Sequence, residues 1–312
     1  MAQRAGRPGL TSAYGQLVMS LLSAGVLVSL TALTPLTPAR ALVPYVYVPR
    51  AQELEGAGLG IAQAAARLLR LGQAADAARL AALAVQLLPE DPRGWLLLAE
   101  AQLRSNQLKP AATSLKRAKQ LDPRNAGIWF AEGSLALRSN NPAEAVRLLQ
   151  EGIRLDGRNA GAFFDLGNAQ LLLGNPRGAL GDFERAASLR SDFWEAINNQ
   201  GLVLYEQGDR AAALSRWRRV LKIKPDAAEP TLALAAGLFA QGPQHRAEAI
   251  SLASRALAAE PNYVLESHQK EQLWGARLRS STQQLLALQE LKAAVERAHA
   301  NASPEGNTEE DL

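Results

Sequence analysis

A spacing of 34 residues governs this chain from about Gly58 to Asn262. Trp95, Trp129, Phe163 and Ile197 stand one spacing apart, and so do Ala99, Gly133, Gly167 and Gly201. Ala77, Ala111, Ala145, Ala179 and Ala213 form a third column, and Ala84, Ala118, Gly152, Ala186 and Val220 a fourth. A fifth, Pro89, Pro123, Gly157, Ser191 and Pro225, ends each unit on a residue suited to stopping a helix. One large residue, small residues at two fixed offsets and then a breaker meet the needs of a stacked helix-turn-helix unit, which buries its apolar side only against its neighbours.

Composition agrees with that reading. The 312 residues are 47% hydrophobic but only 5% aromatic, and a chain rich in Ala and Leu leans towards helix. There is no cysteine, which excludes disulfides, thiolate metal sites and a cysteine nucleophile.

Residues 1–41 read as a targeting segment. Arg4 and Arg7 form a short basic region, Leu17 to Leu33 is uncharged and apolar, and Pro35 and Pro38 break any helix ahead of Ala39-Arg40-Ala41. Small residues at Ala39 and Ala41 suit a signal peptidase, so Leu42 is the expected mature N-terminus. The alternative is an anchor at residues 17–33, at the lower length limit for a spanning helix. In both cases the array is expected beyond a membrane, in a periplasm or a thylakoid lumen. Removing the leader takes 34 basic residues to 31 against 30 acidic, and the net charge from +4 to +1. A nucleic-acid partner, which requires a concentrated basic footprint, is therefore not expected.

Leu42 to Arg50 is apolar, with prolines that keep it extended, so residues 42–57 are expected to lead into the first helix, with Tyr45 and Tyr47 packing on it.

The repeat columns resemble tetratricopeptide repeats. The unit Ala160 to Phe193 supplies Phe163, Leu166, Gly167, Ala179, Phe183 and Ala186 in that family's order, and the unit from Asp91-Pro92 to Asn125 supplies Trp95, Leu98, Ala99, Ala111, Leu115, Ala118 and Pro123. Six units follow, at 58–91, 92–125, 126–159, 160–193, 194–227 and 228–263, the last with about two extra residues near Pro243 to Arg246. The resemblance implies an all-α, right-handed solenoid. Small residues at Gly167 and Ala179 let the helices of one unit approach closely, while Phe163 and Phe183 fill the space between units. Asp91, Asn159, Asn175 and Asp209 are placed as N-caps, and Gly72, Gly174 and Gly208 as the turn residues within units.

Beyond the repeats, Leu273, Trp274, Leu278, Leu285, Leu288, Leu291 and Val295 recur at helical spacing, which predicts a capping helix pair over 264–300. The chain is read as a monomer, or as a weak dimer through the Trp274 region. Residues 301–312, with Glu305, Glu309, Glu310 and Asp311, read as a disordered acidic tail.

Catalytic signals are missing. His245, His268 and His299 show no ligand or triad spacing and are expected to be solvent-exposed, and Gly56-Ala57-Gly58-Leu59-Gly60 lacks the preceding strand and following Lys-Ser/Thr of a phosphate loop. No enzyme activity, cofactor or metal is expected. In tetratricopeptide arrays the first helix of each unit lines a concave groove. Its ligand-facing positions correspond here to Phe130, Ser134, Leu137, Phe164, Asp165, Asn168, Leu171, Glu195, Asn198, Asn199, Leu202 and Tyr205. Asparagine amides can bond an extended peptide backbone, and aromatic rings add contact area.

Chaperone-binding members of the family grip a C-terminal carboxylate with Lys, Asn, Asn, Lys and Arg. Asn168 and Asn199 match the asparagines, but Phe164, Glu229 and Ala233 stand at the cationic positions, so a carboxylate is disfavoured. A second candidate surface is Arg216, Arg218, Arg219, Lys222 and Lys224, whose cations are expected to point away from a packed Trp217, towards anionic lipid or an acidic protein.

The resulting expectation is a non-catalytic scaffold or assembly factor for a protein or peptide partner. Trp129-Phe130-Ala131-Glu132-Gly133 and Asn198-Asn199-Gln200-Gly201 also resemble tetratricopeptide proteins of photosynthetic bacteria, some of which assist photosystem assembly at thylakoid membranes. A membrane-anchored adaptor using the basic patch and an accessory subunit of an envelope enzyme complex are the alternatives.

Overall fold

Each repeat closes on itself through an interlocking pair of columns. In the computed structural model, which describes residues 51–303, a Cβ on Gly133 would lie 2.6 Å from Leu149, one on Gly167 2.6 Å from Phe183, and one on Gly201 2.5 Å from Trp217. The hydrogen-only side chain is thus the receptacle for a large residue of the second helix in the same unit, and the receptacles and their contents both recur every 34 residues. Ala99 and Leu115 occupy the corresponding places one unit earlier, within one buried cluster.

Twelve helices pair up as six units: α1 (Ala51–Arg70) with α2 (Ala74–Leu87), α3 (Pro92–Arg104) with α4 (Leu108–Leu121), α5 (Ala126–Arg138) with α6 (Pro142–Leu155), α7 (Ala160–Leu172) with α8 (Pro176–Leu189), α9 (Trp194–Gln207) with α10 (Arg210–Ile223), and α11 (Ala228–Phe239) with α12 (Arg246–Ala259). Neighbouring helices in the sequence pack on one another, and first helices also touch the first helices of adjoining units, giving an all-α solenoid. The alanine column Ala77, Ala111, Ala145, Ala179 and Ala213 is wholly buried, because any larger residue there would hold the two helices apart.

Local chemistry sets the boundaries. The Asp91 carboxylate accepts from Arg93 N at 2.9 Å, Asn159 from Ala162 N at 2.9 Å, Asn175 from Gly178 N at 3.1 Å and Asp209 from Ala212 N at 3.0 Å. Gly72, Gly174 and Gly208 turn at φ of 80°, 74° and 93°, and at the same point of the second and third units Asn106 and Asn140 adopt 59° and 55°. Asparagine is the residue that tolerates this conformation best after glycine. Trp95 Nε1 donates to Pro89 O at 2.8 Å and Trp129 Nε1 to Pro123 O at 3.0 Å, so the large-residue column also holds down the connection before it. In the sixth unit a 3-10 turn at Pro243–His245 carries two additional residues, after which Ala249 returns to the buried column.

Several expectations change. Helix α1 begins at Ala51, so residues 51–57 are its first two turns rather than an extended lead. Ser303 N donates to Asn262 Oδ1 at 2.9 Å and Asn301 ends a helix, so residues 301–303 belong to the fold and not to a tail. The leader with Ala39 and Ala41, the apolar run 17–33, Tyr45, Tyr47 and residues 304–312 lie outside the described residues. Among the described residues no helix is long and apolar enough to cross a membrane.

The cap consists of α13 (Glu266–Glu271), α14 (Ala276–Leu286) and α15 (Lys292–Asn301). Helix α15 packs beside α12, whereas α14 crosses to the first helices α9 and α11. Glu206 fixes its start, since the two carboxylate oxygens accept from Arg277 N at 3.1 Å and Leu278 N at 2.9 Å and meet the positive end of the helix. Trp274 is 2% exposed, with Nε1 donating to Glu229 Oε1 at 2.9 Å, which removes it as a dimer face. His268 is likewise buried rather than exposed, edge-on to Tyr263 with ring centroids 4.7 Å apart.

Candidate functional site

The side of the array formed by first helices is joined across units by polar pairs. Ser134 Oγ on α5 donates to Asp165 Oδ2 on α7 at 2.5 Å, and Asn199 Nδ2 on α9 donates to Asn168 Oδ1 on α7 at 3.0 Å. Each pair spans 31 residues, three short of the repeat, because adjacent first helices meet at positions one turn apart along their axes. Burial pushes the Asp165 carboxyl above its ordinary range, against the Ser134 hydrogen bond and the Arg138 charge. Glu100 is raised in the same way, opposed by Arg104.

Two cavities divide this face. The smaller, about 320 Å³, is lined by Phe130, Ser134 and Asp165 together with Glu100, Arg104 and Arg138. The larger, about 630 Å³, takes Phe164, Asn168, Glu195, Asn198 and Asn199 from the groove set, and its far wall comes from Glu229, Tyr263 and α13 with the residues after it. Phe164 is wedged between Phe183 and Phe193, at centroid distances of 5.8 and 5.1 Å, so its ring is held in place. Glu229 accepts from Trp274, Asn198 and Tyr263, and burial nevertheless pushes its carboxyl up.

Not every predicted groove residue reaches the surface. Leu202 and Tyr205 are 2% and 1% exposed, in the core under α14, where the Tyr205 hydroxyl meets Ser281 Oγ at 2.9 Å. Leu137 and Leu171 are half-buried against their neighbours. Phe130 turns partly into the array, since a Cβ on Gly152 of α6 would lie 2.5 Å from its ring. Arg104 and Arg138 were not anticipated, though they stand 34 residues apart at the ends of α3 and α5.

The basic patch is less free than its composition implies. Trp217 is buried, but Arg216 turns inward and donates from Nε to Gln200 Oε1 at 2.8 Å, Arg219 donates to Ser191 O at 3.1 Å, and Lys224 pairs with Asp226 at 2.9 Å. Arg218 and Lys222 remain as exposed cations without such partners.

A family model described as tetratricopeptide repeat matches residues 59–126 and 130–192. Over those residues the chain is a tetratricopeptide repeat protein. Among solved structures it is similar to the APC/C hetero-tetramer Cut9-Hcn1, at 16% identity and a TM-score of 0.60 over 76% of this chain and 43% of that one. It is also similar to TTC0263, a thermophilic tetratricopeptide repeat protein of Thermus thermophilus, at 21% identity and a TM-score of 0.52 over 58% of this chain and 99% of that one. A third similarity is to YrrB, titled a tetratricopeptide repeat protein with an unusual peptide-binding site, at 23% identity and a TM-score of 0.47 over 61% and 97%. No curated protein matches the chain.

Within this tetratricopeptide repeat protein the clamp-like positions are spoken for. Asn168 and Asn199 bond each other, Ala233 is wholly buried and Glu229 is held by Trp274. The arrangement offers amide groups and carboxylates where a carboxylate-binding array would offer cations.

Proposed function

We propose that this protein is a non-catalytic scaffold that holds an extended segment of a partner polypeptide along its concave face, from α3 to α9. The Asn168–Asn199 pair carries the reading. Both side chains are half-exposed on the wall of the larger cavity, and each keeps an unused amide donor or acceptor capacity to offer a passing backbone. The face has the length and chemistry of extended-peptide recognition, with aromatic contact from Phe130 and Phe164 and charged groups at intervals.

The scaffold works beyond a membrane in this reading, in a periplasm or thylakoid lumen, released by cleavage after Ala41 or retained by residues 17–33. Assembly of a membrane complex, including a photosynthetic one, is the process we assign to it. Support for that assignment comes from the residues around Trp129 and Asn198 and from the leader.

A pull-down from crosslinked cells tests the proposal. The parent chain is expected to recover a partner that an Asn168→Ala/Asn199→Ala variant of unchanged helicity loses at least ten-fold. Equal recovery by both chains overturns the groove, and sequencing of the recovered N-terminus distinguishes Leu42 from Met1 and so tests export.

A further inference from the structure

We propose that the larger cavity, between α7, α9, α11 and α13, receives the side chain of a lysine or arginine from the bound partner polypeptide. The inference rests on the groove reading above and gives the ligand a charge.

Three observations carry it. The first is a carboxylate without a cation: Glu229 accepts only from the neutral donors of Trp274, Asn198 and Tyr263. A buried carboxylate is stabilised far more by a full positive charge than by neutral donors. The second is an orphan acceptor. Asn198 is 1% exposed and lines the cavity, its Nδ2 serves Asn199 and Glu229, and its Oδ1 has no hydrogen-bond partner. Buried acceptors are rarely left in that state, and a ligand N–H would satisfy this one. The third is the wall itself. Glu195, Glu260 and Glu271 add carboxylates around the cavity, and no lysine or arginine lines it.

The shape selects among cations. Phe164 and Trp194 line the same cavity, so a long aliphatic stem can lie on their rings while its charged end reaches Glu229. Among the described residues no three acidic or histidine side chains are grouped to hold a metal ion, so the carboxylates are spread as for an extended organic cation. The cavity also shares Asn168 and Asn199 with the groove, which lets a side chain enter while its backbone stays on the asparagine pair.

The test uses the full chain and four pools of fluorescein-labelled dodecapeptides, degenerate except for a fixed central Lys, Arg, Gln or Glu. The Lys and Arg pools are expected to bind at least ten-fold tighter than the Gln and Glu pools by fluorescence anisotropy. Glu229→Gln keeps the shape and can still accept from Trp274, and together with the partly exposed Glu195→Gln it is expected to bring that preference within about two-fold while helicity is unchanged. Binding of all four pools with equal affinity overturns the cationic assignment and leaves the groove standing. Failure of every pool to bind overturns both. Competition by free spermidine as strong as by the unlabelled Lys pool overturns the polypeptide assignment in favour of a small polyamine.

Discussion

The two ends of this array are built from the same unit but finished differently. From α1 to α7 the apolar residues form three separate clusters, each shared by about three helices, and the face made by first helices stays open. From the C-terminal half of α9 onward one large cluster joins α10, α11, α12 and the cap, because α14 lies across first helices that would otherwise have been groove. Local repeat chemistry therefore determines how units stack, while the chain that follows the last unit decides where the groove ends. Open units can exchange ligands on their face, and closed units lend the rigidity that keeps a cavity such as the acidic one in shape.

The largest expected effect tests that contrast directly. Trp274→Ala removes a fully buried ring and a donor to Glu229, and is expected to destabilise the C-terminal end by about 3–5 kcal/mol. Trp95→Ala, at a partly buried tryptophan of the open end, should cost about 1–2 kcal/mol. Native-state hydrogen exchange resolves the two ends, and equal losses would break the comparison. Next, Ala179→Leu should overpack the contact between α7 and α8 and destabilise by about 1–3 kcal/mol, read as a lowered Tm. An unchanged Tm would contradict the column assignment.

The smallest effect is electrostatic. Burial pushes the Asp182 carboxyl from 3.8 up to about 6, partly offset by the hydrogen bond from Gln170 at 3.0 Å. The neutral form is thus favoured by folding. Its contribution is present below pH 3.8 and is lost as the pH rises through about 6. Screening of this half-exposed group keeps the loss near about 1 kcal/mol. Urea titrations at about pH 3.5 and about pH 7.5, on either side of that window, should show Asp182→Asn matching the parent at the lower pH and exceeding it at the higher. A pH-independent difference would assign the effect to packing instead.

Much of the stacking is legible in the primary structure because it is periodic. The column of Gly133, Gly167 and Gly201, the alanines at the helix contacts, and the caps at Asp91, Asn159, Asn175 and Asp209 each meet a local need that residue type reveals. Gly72 marks its turn plainly, whereas Asn106 and Asn140 serve the same turn with a residue that is equally common on helix surfaces. The closed end was hidden for a different reason. Leu202 and Tyr205 occupy ligand-facing positions by count, and only a helix arriving from residues 276–286 turns them into core, a long-range contact with no period. Glu229 did carry a signal, as the single charge in the otherwise apolar run from Ala228 to Phe239. Its neighbours Tyr263 and Trp274 come from beyond the last unit's helices, so the acidic cavity has no signature within one repeat.

The matched columns within each unit have a genetic consequence. Leu149 rests on Gly133, Phe183 on Gly167 and Trp217 on Gly201, with Leu115 in the cluster of Ala99. A crossover falling in the turn between the paired helices would set Trp217 against the methyl of Ala99, or leave Leu115 short of the hollow at Gly201. A crossover in the connection between units transfers both partners together. The array can therefore lengthen, shorten or reshuffle by whole repeats at little penalty, and the 34-residue period is the smallest piece of this gene that duplication and recombination can trade without damage.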